Sequence, residues 1–282
     1  MINRQRFALI AVLVLLVPAA ATAGAALGSG ESGSGSRLAS SAEVVVPRGQ
    51  PVEVAFANDL TGFASSFGTS FANAVQMAVE SHPAIRGFPI QVNVVDAPCG
   101  DPAADVAAAT SIVANPRNVA VLGQLCSFGF EQALPVYESA GLVTINGSAT
   151  GDALPAFGPT VFNRTAVRDG DGFDPWYAAV SQLPSDLAWR EAYSLRFGSA
   201  PLPLADLYYD AARLLIRNLQ EISRIDGDGS LVINRAALAQ AVRNTTKFQG
   251  VTCRITLDPV TGNRLNDPTA LSNCAAEGDD SP

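Results

Sequence analysis

The chain has 282 residues, of which 48% are hydrophobic and 16% charged, a composition typical of a globular protein rather than of a low-complexity or collagen-like one. This length allows one large domain or two ordinary ones. Its 18 basic and 26 acidic residues give a formal net charge of −8, which argues against nucleic acid and anionic membranes as partners, because both require clustered Lys and Arg.

The first 23 residues have the features of an export signal. Met1–Arg6 contains two arginines, Phe7–Val17 is an uncharged apolar run, and residues 21–23 (Ala-Thr-Ala) have the small-x-small form of a cleavage site. An uncleaved anchor over residues 7–27 is the alternative, although the Pro18 and alanine content of its second half favours cleavage. Since no cysteine precedes Cys99, we expect no lipid-modified cysteine of the kind that tethers many exported proteins. We therefore expect a secreted or periplasmic protein with no membrane insertion after cleavage.

Strands and helices alternate after a Gly/Ser-rich flexible linker predicted for residues 24–48. Four short apolar runs predict strands, at 52–57, 90–95, 119–125 and 142–146. Helical periodicity predicts helices over 66–81, 102–115, 128–140, 185–197 and 204–223, with a shorter one capped by Asn234. Because such alternation forms a parallel sheet covered on both faces, the predicted fold class is α/β with a Rossmann-like parallel sheet.

The four cysteines are an even number, which in an oxidising compartment predicts two disulfides. They are Cys99, Cys126, Cys253 and Cys274. Three pairings are possible. The order along the chain favours the first with the second and the third with the fourth, because these pairs close short loops.

Metal binding and catalysis find little support. No Cys-x-x-Cys pair occurs, and the single histidine, His82, lies before Pro83 at a predicted helix end. The acidic run at 226–230 lacks the glycine and the glutamate of a calcium loop and is interpreted as a solvated turn. Nor is there a nucleophile elbow or a phosphate loop. We expect no metal, no cofactor and no enzyme activity.

The candidate binding residues follow the predicted strands, because ligands of parallel sheets bind beyond the carboxyl ends of the strands. Ser127 opens the helix after the third predicted strand, where its hydroxyl and the next N–H groups favour an anion. Ser148, Ala149 and Thr150 follow the fourth with hydroxyls and free backbone groups that suit a carboxylate or an ammonium. Taken alone, Ser127 is equally well interpreted as a helix cap and Thr150 as a turn residue.

Several segments together carry a family resemblance. They are a cysteine after the second strand, Cys-Ser at 126–127, a strand followed by small residues and Thr150, LTGFASSFG at 60–68, VFNRT at 161–165, and WREAYSLRFG at 189–198. The combination resembles the type I periplasmic solute-binding proteins, specifically the leucine/isoleucine/valine-binding family. This resemblance implies that Ser127, Ser148 and Thr150 hold the α-carboxylate and α-ammonium of an amino acid, with Ala149 among them. It also implies that Phe67 lines the pocket and that Cys99 and Cys126 form a structural disulfide.

The resemblance also implies a domain organisation and a function. Residues 49–165 and 185–250 match the first ligand-binding lobe, while 166–184 form only a shortened crossover where the second would be inserted. Residues 251–282 are expected to be a hairpin, turning at 261–263 and held by a disulfide, and a tail. The expected fold is one lobe of the periplasmic binding protein type I fold, with the second lobe truncated.

The implied function is the extracytoplasmic solute-binding component of an ABC importer for branched-chain or related amino acids. A small-molecule amino acid and ABC permease subunits are its expected partners. The alternative is a non-transport binding or scaffold protein, or a degenerate paralogue that has lost ligand closure.

Overall fold

The structure is a computed structural model that describes residues 43–154, 161–266 and Cys274. The predicted export signal and its alternative, a membrane anchor over 7–27, lie outside the described residues, as does the linker up to residue 42. The prediction that the linker extends to residue 48 is corrected by strand β1 (Glu43–Val46). Val44 and Val46 are buried there and their neighbours exposed, so the alternation of a half-buried strand fixes this segment to the protein.

A six-stranded sheet forms the centre of the fold, in the order β3-β4-β2-β5-β6-β7. Its strands are β2 (Val52–Asn58), β3 (Ala84–Ile85), β4 (Phe88–Asp96), β5 (Asn118–Gly123), β6 (Val143–Asn146) and β7 (Phe162–Arg164). All neighbours are parallel except β3, which forms an antiparallel hairpin with β4. Every residue of β2 is buried, as expected for a central parallel strand. The α/β class is confirmed.

Helices cover both faces of this sheet. They are α1 (Ser65–Ser81), α2 (Pro102–Ala114), α3 (Ser127–Ser139), α4 (Phe173–Val180), α5 (Pro184–Phe197), α6 (Ala205–Ile222) and α7 (Arg235–Arg243). Helices α1 and α6 pack together over one core cluster, and α2 and α3 over the other. The predicted caps are confirmed: Asp101 accepts the N–H groups of Ala103 and Ala104, and Asn234 that of Ala237. Helix α4 was not predicted.

Smaller elements complete the fold. Strand β9 (Leu231–Asn234) pairs with β1 and with β8 (Arg224–Ile225), and the acidic run between β8 and β9 is the expected turn. A second hairpin joins β10 (Phe248–Gly250) to β11 (Cys253–Ile255). The predicted turn near 261–263 is present, since the Gly262 N–H donates to the Asp258 carbonyl and Leu257 bridges Arg264. Cys253 and Cys274 form the predicted disulfide.

The predicted crossover at 166–184 contains a short 3-10 turn (Asp169–Asp171) and α4. Only residues 181–183 separate α4 from α5. Trp176 and Val180 of α4 pack against Leu207 of α6, so this segment belongs to the same core region. The larger division into domains stays a prediction. Over the described ranges, no helix is both long and apolar enough to cross a membrane.

Candidate functional site

The carboxyl ends of the parallel strands lie along one edge of the sheet. The loops that follow them form a surface that we call the open face. It comprises residues 59–64 after β2, 97–101 after β4, 124–128 after β5, 147–154 after β6 and 165–172 after β7. Ser127, Ser148, Ala149 and Thr150 all belong to this face, as predicted from the strand pattern.

A buried carboxylate organises the first two loops. Asp59 accepts the N–H of Gly62 at 2.6 Å and those of Ala64 and Cys99 at 3.1 Å each. The disulfide between Cys99 and Cys126, with Cα atoms 5.6 Å apart, then joins the loops after β4 and β5 and confirms the predicted pair. Sequence reasoning missed Asp59, although an acid directly after a fully buried strand was an available signal. Three loops of the open face are therefore held in fixed positions.

Ser127 connects the N-terminus of α3 with the loop after β6. It is the first residue of α3, and its Oγ accepts the N–H of Gly151 at 3.1 Å. The side chain of Cys126, the N-cap residue, accepts no hydrogen bond from the first turn of α3. The N–H groups of that turn therefore lack a capping side chain. The Ser127 hydroxyl proton remains available to a ligand at the positive end of the helix dipole.

The expectation that residues 148–150 offer free backbone groups is wrong for the first two. Asn146 Oδ1 accepts the N–H groups of Ser148 at 2.8 Å and Ala149 at 2.6 Å. This is an Asx turn, which an asparagine forms when the chain bends directly after it. Ser148 Oγ donates to the Leu125 carbonyl at 2.9 Å and lies 2.9 Å from the hydroxyl of Tyr208. Ser148 therefore stabilises the loop from beneath.

Thr150 is the residue of this loop with most bonding capacity left. Its carbonyl accepts the N–H of Asp169 at 3.0 Å, while its hydroxyl makes no hydrogen bond with any described residue. The side chain is half-buried. The hydroxyls of Ser127 and Thr150, together with the first-turn N–H groups of α3, are therefore the groups that can receive a ligand.

A buried arginine of the VFNRT segment supports the same loop, a role that the sequence did not predict. Arg164 ends β7, and its Nη1 donates to the carbonyls of Ala149 at 2.9 Å and Gly151 at 3.0 Å. Its Nε donates to Asn263 Oδ1 at 2.8 Å, which ties the C-terminal turn to the site. Burial lowers the pKa of Arg164 to about 10, so it remains charged at neutral pH.

Phe67 lies outside the loop that contains Ser148 and Thr150. It is half-buried on α1, with its ring edge against Phe71 at 6.0 Å between centroids. Phe71 stacks on Tyr208 at 4.5 Å, and the Tyr208 hydroxyl donates to Asn58 at 3.1 Å. Phe67 therefore reaches the loop after β6 through two intervening rings. In the part of the chain that the structure describes, no cluster of three or more His, Cys, Asp or Glu could hold a metal ion.

Curated relatives were found for part of the chain. No family model matches it. The Leu/Ile/Val-binding protein of Escherichia coli K12 is 30% identical over 125 residues, which are 43% of this chain and 34% of that protein. The protein of the same name from Escherichia coli O157:H7 matches equally. The match thus spans about a third of the length of these relatives.

Solved structures resemble the fold over a larger share. A leucine-binding protein from Thermotoga maritima gives a TM-score of 0.63 at 14% identity, covering 76% of this chain and 93% of that one. A branched-chain amino acid transporter binding protein from Streptococcus pneumoniae, in complex with isoleucine, gives 0.62 at 15% identity, covering 76% and 94%. These findings confirm the resemblance seen in the sequence and show that the α/β fold is the type I periplasmic binding fold.

Proposed function

We propose that this chain is an extracytoplasmic solute-binding protein that holds the head group of an amino acid on the open face. The observation that carries the proposal is the bond from Gly151 N to Ser127 Oγ, which brings the end of α3 beside the Thr150 loop. The relatives named as Leu/Ile/Val-binding proteins support an amino acid as the ligand class. A role beside ABC permease subunits, for branched-chain or related amino acids, is part of the same proposal.

The remaining donors suit a carboxylate. A ligand carboxylate at the start of α3 would accept from the Ser127 hydroxyl and the first-turn N–H groups, where the helix dipole favours negative charge. The Thr150 hydroxyl would accept from the ammonium. On an open surface each such bond contributes only about 0.5–1.5 kcal/mol net. Three or four of them, minus the entropy of association, give an affinity of about 1 mM or weaker.

Titration calorimetry with leucine, valine and a polar amino acid tests this proposal. We expect weak binding that falls about threefold to tenfold in Ser127→Ala and in Thr150→Ala, because each loses one hydrogen bond. Thr110→Ala is the matched control, since that hydroxyl bonds within α2 to the Val106 carbonyl. A sub-micromolar dissociation constant would contradict an open half-site. Affinities that are unchanged in both variants would refute the head-group site on the open face.

A non-transport binding or scaffold protein is the second candidate. The N–H groups of Ser148 and Ala149 are already used by Asn146, and α4 runs into α5 through three residues. The first observation removes two donors from the ligand, and the second leaves little chain for a second lobe. Both favour an open face that makes fewer contacts with a ligand. The related proteins are named as binding proteins, which supports a role without catalysis in either case.

Export is proposed on the sequence of the first 23 residues. The mature chain should begin near Gly24. N-terminal sequencing of protein recovered from the culture medium or periplasm checks this, and a chain that still begins at Met1 in the membrane fraction would favour the anchor instead.

A further inference from the structure

Two phenylalanine rings on the open face are largely exposed to solvent. Phe63 is 82% exposed and Phe128 is 65% exposed. The Phe63 ring lies 3.5 Å from the position that a Cβ on Gly100 would occupy, next to the disulfide of Cys99 and Cys126. Phe128 lies two residues after Cys126. Because Phe63 follows β2 and Phe128 follows β5, and these strands are neighbours, the two rings belong to adjacent loops of the open face. We call the two rings the aromatic patch, since exposed apolar surface marks interaction sites.

Acidic side chains continue the patch on both sides. Since the strands are neighbours in the order β4-β2-β5-β6-β7, their loops place Asp101, Phe63, Phe128, Asp152 and Asp169 in that order along the edge. The three aspartates are exposed. The edge therefore presents an acid, two aromatic rings and two further acids, which we call the acid–ring row.

The nearby basic side chains leave this negative charge largely uncompensated. Arg168 is paired with Asp171 at 2.7 Å and lies 3.9 Å from Asp152. Arg164 is buried beneath the loop after β6. Asp101 caps α2 and Asp169 is exposed, and neither has an ion-pair partner in the described ranges. The row combines apolar surface with a net negative field.

We propose that the acid–ring row docks a polypeptide segment in which apolar side chains are flanked by Arg or Lys. Four steps of ~4.8 Å between strands make the row about 19 Å long, the length of about six extended residues rather than of a small molecule. Basic side chains pair with the aspartates and also bind over aromatic rings. Because Asp59 and the disulfide fix the loops, docking costs little ordering of the surface.

A second copy of the chain is a poor occupant. A two-fold interface places the same patch on both partners, so the aspartates of one row would face those of the other. The chain as a whole carries a formal charge of −8, which adds to this repulsion. The proposal does not depend on amino-acid binding, because the side chains of the row are distinct from the head-group hydroxyls of Ser127 and Thr150.

Three labelled ten-residue peptides test the proposal by fluorescence anisotropy. The first has two central leucines and two arginines towards each end, the second has glutamates for the arginines, and the third has serines for the leucines. We expect the first to bind the wild-type chain at least about tenfold more tightly than either other peptide. Its affinity should fall steeply as NaCl rises from about 50 to about 300 mM, because exposed charges are screened.

Variants locate the binding to the row. Phe63→Ser with Phe128→Ser should weaken the first peptide about tenfold or more, and Asp152→Asn with Asp169→Asn should flatten its salt dependence. Leu195→Ser is the matched control, because Leu195 is 81% exposed on α5, outside the open face. Thermal melts check that the exposed substitutions leave folding intact.

Three results would overturn the proposal. They are no binding of the first peptide by the wild type, equal binding of the glutamate peptide, and unchanged affinity in the double phenylalanine variant. Sedimentation decides the remaining case: a wild-type dimer that the phenylalanine variant converts to monomer would assign the patch to contact between copies. None of these readouts uses an amino-acid ligand, so they are separate from the test of the proposed function.

Discussion

Buried acidic side chains occur on both faces of the sheet. Two on one face are bonded to an arginine, whereas one on the other face has no cation beside it. On the side of α5 and α6, Asp186 and Asp206 are fully buried and share one arginine. Arg190 donates from Nε to Asp186 and from Nη2 to Asp206 at 2.8 Å, and the Tyr177 hydroxyl donates to Asp206 at 3.2 Å. Burial, with the adjacent charge of Asp186, raises the pKa of Asp206 well above its usual range.

On the side of α2 and α3 a single carboxyl has no such partner. Asp105 is 1% exposed, and its Oδ2 makes no hydrogen bond. It lies directly against Gly129 in the first turn of α3, behind the end where Ser127 faces the open side. Burial raises its pKa to about 7, and the charges of Asp101 and Asp59 add to the shift.

This contrast separates a structural cluster from a site-associated one. Around Arg190 one guanidinium bonds two buried carboxyls and the Tyr177 hydroxyl, which holds α4, α5 and α6 together, although Asp186 Oδ1 has no hydrogen-bond partner among the described residues. Next to the candidate site, the carboxyl of Asp105 is buried with no cation or hydrogen-bond donor at its Oδ2. Titratable groups with strongly shifted pKa values are found more often near functional sites.

Removal of the shared arginine should destabilise the chain most. Arg190→Leu leaves Asp186 and Asp206 buried without a cation, which should lower the free energy of unfolding by about 3–5 kcal/mol in urea titrations at neutral pH. The loss should shrink at acidic pH, because Asp206, whose pKa is raised by burial, is then protonated. Arg217→Leu is the control, because its pair with Glu221 is exposed and worth at most about 1 kcal/mol. Equal losses in the two variants would contradict the buried-cluster interpretation.

The next effect concerns pH. Because the pKa of Asp105 is about 7 in the folded chain and lower when unfolded, the folded state binds the proton more tightly. The proton on Asp105 therefore stabilises the folded state fully below about pH 4. As pH rises from there to about 7, the free energy of unfolding falls by up to about 1.4 kcal/mol per pH unit. Asp105→Asn should flatten that dependence in urea titrations across this range. Asp174→Asn, at an exposed position on α4, should leave it unchanged.

The smallest effect tests the contact between Asp105 and α3. A Cβ on Gly129 would lie 1.6 Å from Asp105 Oδ2, so Gly129→Ala should destabilise the chain by about 1–3 kcal/mol. Gly227→Ala is the control, since a Cβ there meets nothing within 4 Å. Combining Gly129→Ala with Asp105→Ala should recover part of the loss. If the double variant is as unstable as the sum of both single variants, the clash is not the cause.

Local signals made much of the fold predictable, and part of the site. The Asp101-Pro102 start of α2 and the position of Ser127 at the start of α3 follow from caps and periodicity within a few residues. The role of Asn146 did not, because an asparagine at a strand end can equally bond a neighbouring strand, a ligand or water. Helix α4 was missed because the crossover was interpreted mainly as the shortened remainder of a lobe.

Hydrophobic periodicity in the sequence predicted four strands of the central sheet (β2, β4, β5 and β6) and every described helix except α4, since the period of each of these elements is encoded in its own residues. Sequence order also favoured the correct disulfide pairs. Which polar groups remain open to a ligand became known from the folded chain alone. Asn146 takes the N–H groups of Ser148 and Ala149, and Arg164 binds their loop from a later strand. These assignments depend on which side chains converge after folding, and a linear pattern carries no information on distances between residues far apart in the chain.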